Sequence, residues 1–189
     1  MNIYIVRHGQ TDWNKEGKFQ GSCDIELNKT GEEEAKKLKE ELKGIKFDLI
    51  ISSPLKRAIK TAKIINESHG TKIEISKNII ERDFGELEGK SAIEQHEINM
   101  EMLLDIDYNY NKKKVEPIKE LQNRVYKFLH EIAKRHFENI LIVSHCGVIQ
   151  MMRCYFEGVP KDKNILKLSI GNCEYKTYEI EGETNGKQI

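Results

Sequence analysis

Short apolar segments alternate along the chain with longer segments in which apolar positions recur every three or four residues. A short apolar run rich in Ile and Val is typical of a strand buried on both faces, whereas the longer spacing is typical of an amphipathic helix. Strands are therefore predicted at residues 3–6, 48–52, 73–75, 78–80 and 140–143, with an edge strand at residues 174–180.

Helix-start signals lie between these strands. Thr30 and Glu33 form a capping box, which predicts a helix with Thr30 as its N-cap and an end near residue 43. Ser53 before Pro54 is typical of a capping hydroxyl followed by the first helical residue, and predicts a helix to about residue 69. Further helices are predicted from Ser91 to about residue 104, at residues 117–137 and at residues 148–156, with a polar loop at 105–116 and a frayed tail at 182–189.

This alternation predicts an α/β fold: a three-layer α/β/α sandwich whose mainly parallel central sheet carries helices on both faces. A chain of 189 residues suits a single domain, residues 1–189. The stretch at about residues 90–117 is expected to be a helical or loop insertion in that domain.

Charge and cysteine content narrow the functional class. The 31 Lys and Arg residues balance 31 Asp and Glu residues, which argues against nucleic-acid binding through overall positive charge.

The longest uncharged stretch, residues 139–152, is too short to span a membrane, and the apolar start ends at Arg7, too early for a signal peptide. Because the four cysteines form no Cys-x-x-Cys pair, we expect a cytoplasmic protein with reduced thiols, monomer and dimer both being open.

Arginine is scarce, with six residues against 25 lysines. The guanidinium presents planar, forked donors that match carboxylate and phosphate oxygens, which an ammonium group cannot imitate. Each arginine of this Lys-rich chain therefore raises the question of which contact requires it.

Two histidines follow two predicted strands in the same way, because His8 and His145 each stand two residues after a valine. Arg7 adjoins His8, and Arg57 lies one turn into the helix predicted after another strand. The carboxyl ends of parallel strands meet at one edge of a sheet, where α/β proteins bind ligands. Two imidazoles and two guanidiniums at that edge suit a phosphoryl group, with one imidazole to attack phosphorus and the arginines to offset charge.

The residues around these side chains form four blocks. They are Arg7-His8-Gly9-Gln10-Thr11 with Asn14, Ser53-Pro54-Leu55 with Arg57-Ala58 and Thr61-Ala62, Glu81 with Phe84-Gly85 and Glu88-Gly89, and Val143-Ser144-His145-Cys146-Gly147. Any one block is a weak signal, but the four in this order resemble the motifs of the histidine phosphatase superfamily. That family includes the cofactor-dependent phosphoglycerate mutases and many phosphatases.

The resemblance implies a role for each residue of the site. His8 would be the nucleophile that forms a phosphohistidine, and Glu81 would protonate the leaving alkoxide and then activate water, with Asp83 as the alternative acid. The resemblance also implies phosphoryl or substrate contacts for Arg7, Arg57, His145, Asn14, Gln20, Gly21 and Cys146. The resemblance implies no cofactor and no metal, because the arginines supply the positive charge. It also implies that the protein binds a small phosphorylated metabolite.

Hydrolysis of small phosphomonoesters is the favoured function, and sugar phosphates, 3-phosphoglycerate and α-ribazole phosphate all fit. A phosphoglycerate mutase is the alternative, because Glu81-Arg82 resembles the mutase form of the acid motif. Against it, Phe84 stands where the mutases usually have tyrosine. We also expect Arg124 and Arg135 on the outer face of their helix, away from any substrate.

Two further alternatives stay open at this point. One is a catalytically silent regulator that binds phosphate on the same scaffold. The other is a zinc hydrolase built on His8, His145 and Cys146, which would need all three ligands within bonding distance of one ion. Whether the loop at residues 105–116 closes over the site is also open.

Overall fold

A computed structural model describes residues 1–91, 99–108 and 113–180. Its strands are β1 (Asn2–Arg7), β2 (Leu49–Ser52), β3 (Ile73–Ile75), β4 (Asn139–Ser144) and β5 (Tyr175–Glu179). They form one sheet in the order β3-β2-β4-β1-β5, in which only the edge strand β5 is antiparallel. The predicted mainly parallel sheet is confirmed.

Helices cover both faces of this sheet. Those described are α1 (Asp12–Lys15), α2 (Lys29–Leu42), α3 (Lys56–Asn66), α4 (Met100–Leu104), α5 (Ile118–Ala133) and α6 (Cys146–Glu157), with short 3-10 helices at Lys77–Ile79, Gly85–Leu87 and Ile165–Leu168. Along β4, Ile140 and Ile142 join the apolar cluster of α5 and α6, whereas Leu141 and Val143 join that of α2 and α3. The alternation confirms the three-layer sandwich, because successive side chains of a strand point to opposite faces.

The parallel register brings three strand ends to one place. Arg7 at the end of β1 pairs with Ser144 of β4, and Ser52 at the end of β2 pairs with Val143 of β4. His8 follows β1, Ser53 follows β2 and His145 follows β4. These three side chains are therefore neighbours because of backbone pairing in the sheet.

The strand predicted at residues 78–80 and the predicted start of α2 differ from the structure. The strand at residues 78–80 is wrong: Lys77–Ile79 form a 3-10 helix, and the carbonyls of Asn78 and Ile80 accept hydrogen bonds from Arg124 instead of from a strand. Helix α2 begins at Lys29, because Asn28 rather than Thr30 is its N-cap and accepts from the Gly31 N–H at 2.9 Å.

The start of α3 also differs from the sequence pattern. The helix begins at Lys56 rather than Pro54, and its N-cap residue makes no side-chain cap. The Lys56 N–H is instead bound by Asp24, whose Oδ1 lies 2.7 Å away. A carboxylate from a distant loop thus caps the helix, and the Ser53 hydroxyl is available to another partner.

Other predictions fall on residues outside those described. They are most of the capping box at 91–94 and the first part of its helix, the centre of the loop at 105–116, and the tail at 182–189. Within the expected insertion, α4 places Leu103 in a small apolar cluster with Leu87 and Val115. The single domain with an insertion stays a prediction. In the part of the chain that is described, no helix is long and apolar enough to cross a membrane.

Candidate active site

A cavity of about 140 Å³ lies beside the carboxyl end of β1. Most of the residues predicted for the site line it, namely Arg7, His8, Asn14, Gln20, Gly21, Arg57 and Glu81, together with Lys18, Phe19 and Phe84. His145 does not line the cavity but packs against His8, their ring centroids being 5.1 Å apart. The fold therefore assembles residues from three of the sequence blocks around one small space and packs His145 of the fourth block against His8.

His8 is held in one neutral form. Its side chain is almost completely buried, and its Nδ1 lies 2.7 Å from the carbonyl oxygen of Gly9. A carbonyl only accepts, so Nδ1 carries the proton and Nε2 keeps the lone pair. Burial, followed by the positive charges of Arg57 and Arg7, holds the pKa of His8 well below its ordinary value of 6.5. The ring thus stays uncharged over the neutral pH range, with a lone pair on Nε2.

Arg57 is fully buried and divides its donors between the protein and the cavity. Its Nε donates to His145 Nδ1 at 3.2 Å, and its two terminal nitrogens donate to the carbonyls of Cys23 and Gly21 at 2.7 Å each. A guanidinium has five N–H groups, and these contacts use three. Among the described residues, two N–H groups, one on each terminal nitrogen, therefore have no protein partner and can serve an anion in the cavity.

The loop that receives Arg57 depends on a glycine. Gly21 has a φ of +51°, and a Cβ at this position would lie 2.0 Å from Oε1 of Glu88. That carboxylate accepts from the N–H groups of Ser22 and Cys23 at 2.7 and 3.1 Å. Glu88 thereby fixes the loop whose carbonyls orient the guanidinium of Arg57.

Both ring nitrogens of His145 are engaged within the protein. Because Arg57 can only donate, His145 Nδ1 is the acceptor and Nε2 carries the proton. Nε2 donates to the Ser53 hydroxyl at 2.6 Å. Burial and the charge of Arg57 hold the pKa of His145 well below 6.5. In this arrangement His145 orients Arg57, and both nitrogens of the His145 ring are bonded to protein groups rather than open to the cavity.

The contacts of His145 do not fit the zinc alternative, since a ligating imidazole needs a free ring nitrogen. The third expected ligand, Cys146, directs its Sγ toward the Ser169 hydroxyl at 3.5 Å, and burial raises its thiol pKa. Cys146 is instead the first residue of α6. Its backbone N–H is one of the donors that a helix start leaves without an intrahelical partner.

Arg7, Asn14 and Gln20 present polar groups to the cavity. Arg7 donates from Nη1 to the Ile170 carbonyl at 2.8 Å, while its Nε is buried with no hydrogen-bond partner among the described residues. The Thr11 hydroxyl has one proton, which it can donate to the amide oxygen of Gln20 at 3.0 Å, while the amide oxygen of Asn14 accepts from the Thr11 N–H at 3.1 Å. Their NH₂ groups are the parts of these amides that can donate to a ligand.

Glu81 lies between this cavity and the start of α6. Its Oε1 accepts from the backbone N–H groups of Arg82 and Gly147, at 2.8 and 3.1 Å. A Cβ on Gly147 would lie only 2.7 Å from that oxygen, so glycine permits the approach. The alternative acid, Asp83, is exposed, does not line the small cavity and binds the Gly85 N–H. Of these two carboxyl groups, the geometry favours Glu81 as the candidate acid.

A second, larger cavity of about 620 Å³ adjoins the first, and Glu81 lines both. Apolar residues Ile80 and Val115 line the second cavity together with charged ones. Glu81 thus lies where a phosphoryl group in the small cavity would meet the rest of a substrate in the large one.

Two residues of this region differ from what the sequence pattern predicts. Ser53 is predicted as a helix cap, but it is the partner of His145. Arg124 is predicted on an outer helix face, which is wrong: it bonds the backbone that carries Glu81. The only sequence signal for Arg124 is the scarcity of arginine in the chain, and that scarcity does not indicate which groups Arg124 contacts.

The sequence profile of the Histidine phosphatase superfamily (branch 1) matches residues 3–188. The chain belongs to this superfamily. Its relatives include a Hydrogenobacter thermophilus protein provisionally named phosphoserine phosphatase 2, which is 33% identical over 184 residues, or 96% of this chain and 90% of that protein. They also include a 2,3-bisphosphoglycerate-dependent phosphoglycerate mutase of Cytophaga hutchinsonii, 32% identical over 178 residues, or 89% of this chain and 84% of that protein.

Solved structures of the superfamily share the fold. A mutant phosphoserine phosphatase from Entamoeba histolytica, in complex with phosphoserine, superposes with a TM-score of 0.81 at 27% identity, covering 95% of this chain and 91% of that one. The family predicted from the four sequence blocks is confirmed. So is the class of activity, hydrolysis of phosphomonoesters by a phosphatase.

Proposed function

We propose that this histidine phosphatase hydrolyses small phosphomonoesters of alcohols through a phosphohistidine on Nε2 of His8. The observation that carries the proposal is the hydrogen bond from His8 Nδ1 to the Gly9 carbonyl, because it leaves the lone pair on the other nitrogen. The lowered pKa of His8 keeps that lone pair available. Attack by Nε2 on phosphorus needs no prior deprotonation of the ring.

Arg57 and Arg7 would hold the phosphoryl oxygens during transfer. Arg57 has two uncommitted N–H groups, and Arg7 has a buried Nε without a partner among the described residues. The amide groups of Asn14 and Gln20 and the Cys146 N–H would add neutral donors. His145 would contribute by orienting Arg57. Donors fixed before the reaction stabilise the charge of the transition state without having to reorganise.

Glu81 would act first as the acid and then as the base. As the Nε2–P bond forms and the bond from phosphorus to the alcohol oxygen breaks, protonated Glu81 gives its proton to the departing alkoxide. A water molecule then attacks phosphorus, Glu81 takes its proton, and the electron pair of the N–P bond returns to His8. The position of Glu81 between the two cavities supports this assignment.

The small cavity accommodates a phosphoryl group, and the larger one would receive the alcohol. Its mixed apolar and charged lining suits a small polar alcohol. Phosphoserine is the first candidate substrate, because a phosphoserine phosphatase is among the relatives and another among the solved neighbours. Sugar phosphates, 3-phosphoglycerate and α-ribazole phosphate are the others.

Phosphoglycerate mutase activity is the second candidate, supported by the relative of that name. A mutase must grip the carboxylate of its substrate, yet the three arginines between Glu81 and His145 are engaged elsewhere. Arg82 donates to the carbonyls of Glu116 and Leu103, Arg124 binds Glu116 and Arg135 binds Glu74. These contacts favour the phosphatase.

The test is a panel of phosphoserine, 3-phosphoglycerate, α-ribazole phosphate and sugar phosphates, with phosphate release and product isomers measured together. We expect release from at least one substrate, an alkali-stable phosphoprotein intermediate, and loss of both in His8→Ala. The matched control is His136→Ala, which changes an exposed histidine and should keep wild-type activity.

Three outcomes would count against the proposal. Equal release by wild type and His8→Ala would remove His8 as the nucleophile. Isomerisation of 3-phosphoglycerate faster than its hydrolysis would favour the mutase. Phosphate binding without turnover of any substrate would indicate a silent regulator.

The cytoplasmic location also stays a prediction, supported by four cysteines that are all free thiols.

A further inference from the structure

The segment that carries Glu81 has little regular structure of its own. It leaves the 3-10 helix Lys77–Ile79 and runs to Asp83 without belonging to a described strand. A carboxyl group that transfers a proton must nevertheless be held within a fraction of an ångström, because small misplacements are costly in rate. Some other group must therefore fix this backbone.

Arg124 of α5 makes contacts that meet this need. Its Nη1 donates to the carbonyls of Asn78 and Ile80 at 2.9 and 2.7 Å, and its Nη2 donates to the carbonyl of Glu81 itself at 3.1 Å. The guanidinium thus binds three carbonyls within four residues, and one of them belongs to Glu81.

Glu116 holds the guanidinium in place. Its Oε1 accepts from Arg124 Nε at 2.8 Å and its Oε2 from Nη2 at 2.9 Å. Glu116 is itself tied to the far end of the segment, because its Oε2 accepts from the Asp83 N–H and its own N–H donates to the Asp83 carbonyl, at 3.1 and 2.8 Å. The pair therefore clamps the backbone on both sides of Glu81.

The donor count separates this arginine from those of the phosphoryl cavity. Nε of Arg124 makes one bond, and Nη1 and Nη2 make two each, which uses all five N–H groups. Arg57 has two N–H groups without a partner among the described residues, whereas Arg124 has none. Arg124 lines the larger cavity, but it has no donor left for a substrate.

We propose that Arg124, held by Glu116, is a positioning residue that places the Glu81 carboxyl group for proton transfer to the leaving alcohol. The inference rests on the proposed role of Glu81. Its consequence is selective: loss of Arg124 should impair substrates whose leaving group needs a proton and spare substrates whose leaving group is stable as an anion. A general loss of structure would impair both.

The experiment compares an alkyl phosphate, the best substrate of the panel, with p-nitrophenyl phosphate. Single-turnover kinetics give the rate of His8 phosphorylation at saturation separately from substrate binding. Glu81→Gln should lower that rate by about 10²-fold or more for the alkyl ester and by only a few-fold for the aryl ester. Arg124→Gln should show the same selectivity, with about a 10-fold loss for the alkyl ester and unchanged substrate binding.

Arg135→Gln is the matched control. Arg135 also makes a two-bond ion pair with a glutamate, Glu74, but none of its described contacts is with the Glu81 segment. Its alkyl-to-aryl rate ratio should equal that of the wild type. Arg124→Lys keeps the charge without the fork and provides a milder variant, in which the ratio should also fall. Thermal unfolding of each variant reports on folding independently.

Equal losses for both esters in Arg124→Gln and Arg124→Lys would overturn the inference, and so would weaker binding of the alkyl ester at an unchanged rate. A selective loss in Glu81→Gln without one in either Arg124 variant would overturn the inference alone. No selectivity in Glu81→Gln would instead remove the proposed acid, and the inference with it.

Discussion

The two sides of the active site are positioned by different kinds of contact. On the phosphoryl side, His8, Ser53 and His145 directly follow three neighbouring parallel strands, so backbone pairing in the sheet sets their places. On the side of the proposed acid, Glu81 lies on a segment outside the sheet whose backbone binds Arg124, and its carboxylate accepts from two backbone N–H groups.

The two sides should therefore respond differently to a single substitution. A sheet edge rests on many hydrogen bonds and a packed core, so one side-chain change there alters charge or donors more than it alters backbone position. The backbone beside Glu81 takes three charge-assisted hydrogen bonds from one guanidinium, so one change can move the carboxyl group. Variants on each side, and the pH dependence of the rate, test this difference.

Arg57→Lys should have the largest effect. An ammonium group cannot reach His145, two loop carbonyls and the cavity at once, so the phosphoryl oxygens lose donors at the transition state. We expect kcat/KM to fall by about 10²–10³-fold, and equally for alkyl and aryl phosphates. A loss confined to alkyl phosphates would place Arg57 on the acid side and contradict the division.

Gly147→Ala tests the acid side by adding a methyl group next to the Glu81 carboxylate. The new Cβ would lie 2.7 Å from Glu81 Oε1 and force the carboxylate away from the start of α6. We expect about a 10-fold to 100-fold loss in the phosphorylation rate with alkyl phosphates and a much smaller loss with p-nitrophenyl phosphate. Equal losses with the two esters would mean that the methyl group disturbs the phosphoryl side as well.

Ser53→Ala should have a moderate and unselective effect. It leaves the buried Nε2–H of His145 without its acceptor, which costs about 1–3 kcal/mol of unfolding free energy. With the imidazole less firmly held, Arg57 is less precisely oriented, and we expect roughly a 10-fold lower kcat/KM for both esters. Denaturant unfolding and the ester comparison measure the two effects, and Ser53→Thr, which keeps the hydroxyl, is the control. Full activity and stability in Ser53→Ala would show that the hydrogen bond has no role.

The smallest expected effect is that of pH on the phosphorylation rate of the wild type. Because the pKa of His8 is lowered in the folded protein, the imidazole becomes protonated only well below pH 6.5. The rate of phosphorylation by p-nitrophenyl phosphate, which does not need Glu81 as an acid, should therefore stay constant from about pH 7.5 to about pH 6.

Arg7→Gln sharpens this test. Removing a positive charge that lowers the pKa of His8 should raise that pKa and shift the acid limb to higher pH. A midpoint at pH 6.5 in the wild type would contradict the assigned environment of His8. A profile that does not move in Arg7→Gln would exclude Arg7 as a cause of the lowered pKa.

Much of the phosphoryl side is predictable from the sequence. Apolar runs locate β1, β2 and β4, and the rule that ligands bind at the carboxyl ends of parallel strands places His8 and His145 together. Glu81 is different, because its position comes only from the resemblance to a family motif. The pattern around it predicts a strand at residues 78–80 that does not exist.

The fold class, the family and most of the residues that line the cavity can be predicted from the sequence, because they follow from local periodicity and from motifs in a fixed order. The tertiary structure alone decided which partner each polar group takes. Ser53 meets His145 across 92 positions, Arg124 meets Glu81 across 43 and Asp24 caps α3 across 32. No local pattern encodes such contacts, since they exist only after the sheet and its helices have packed.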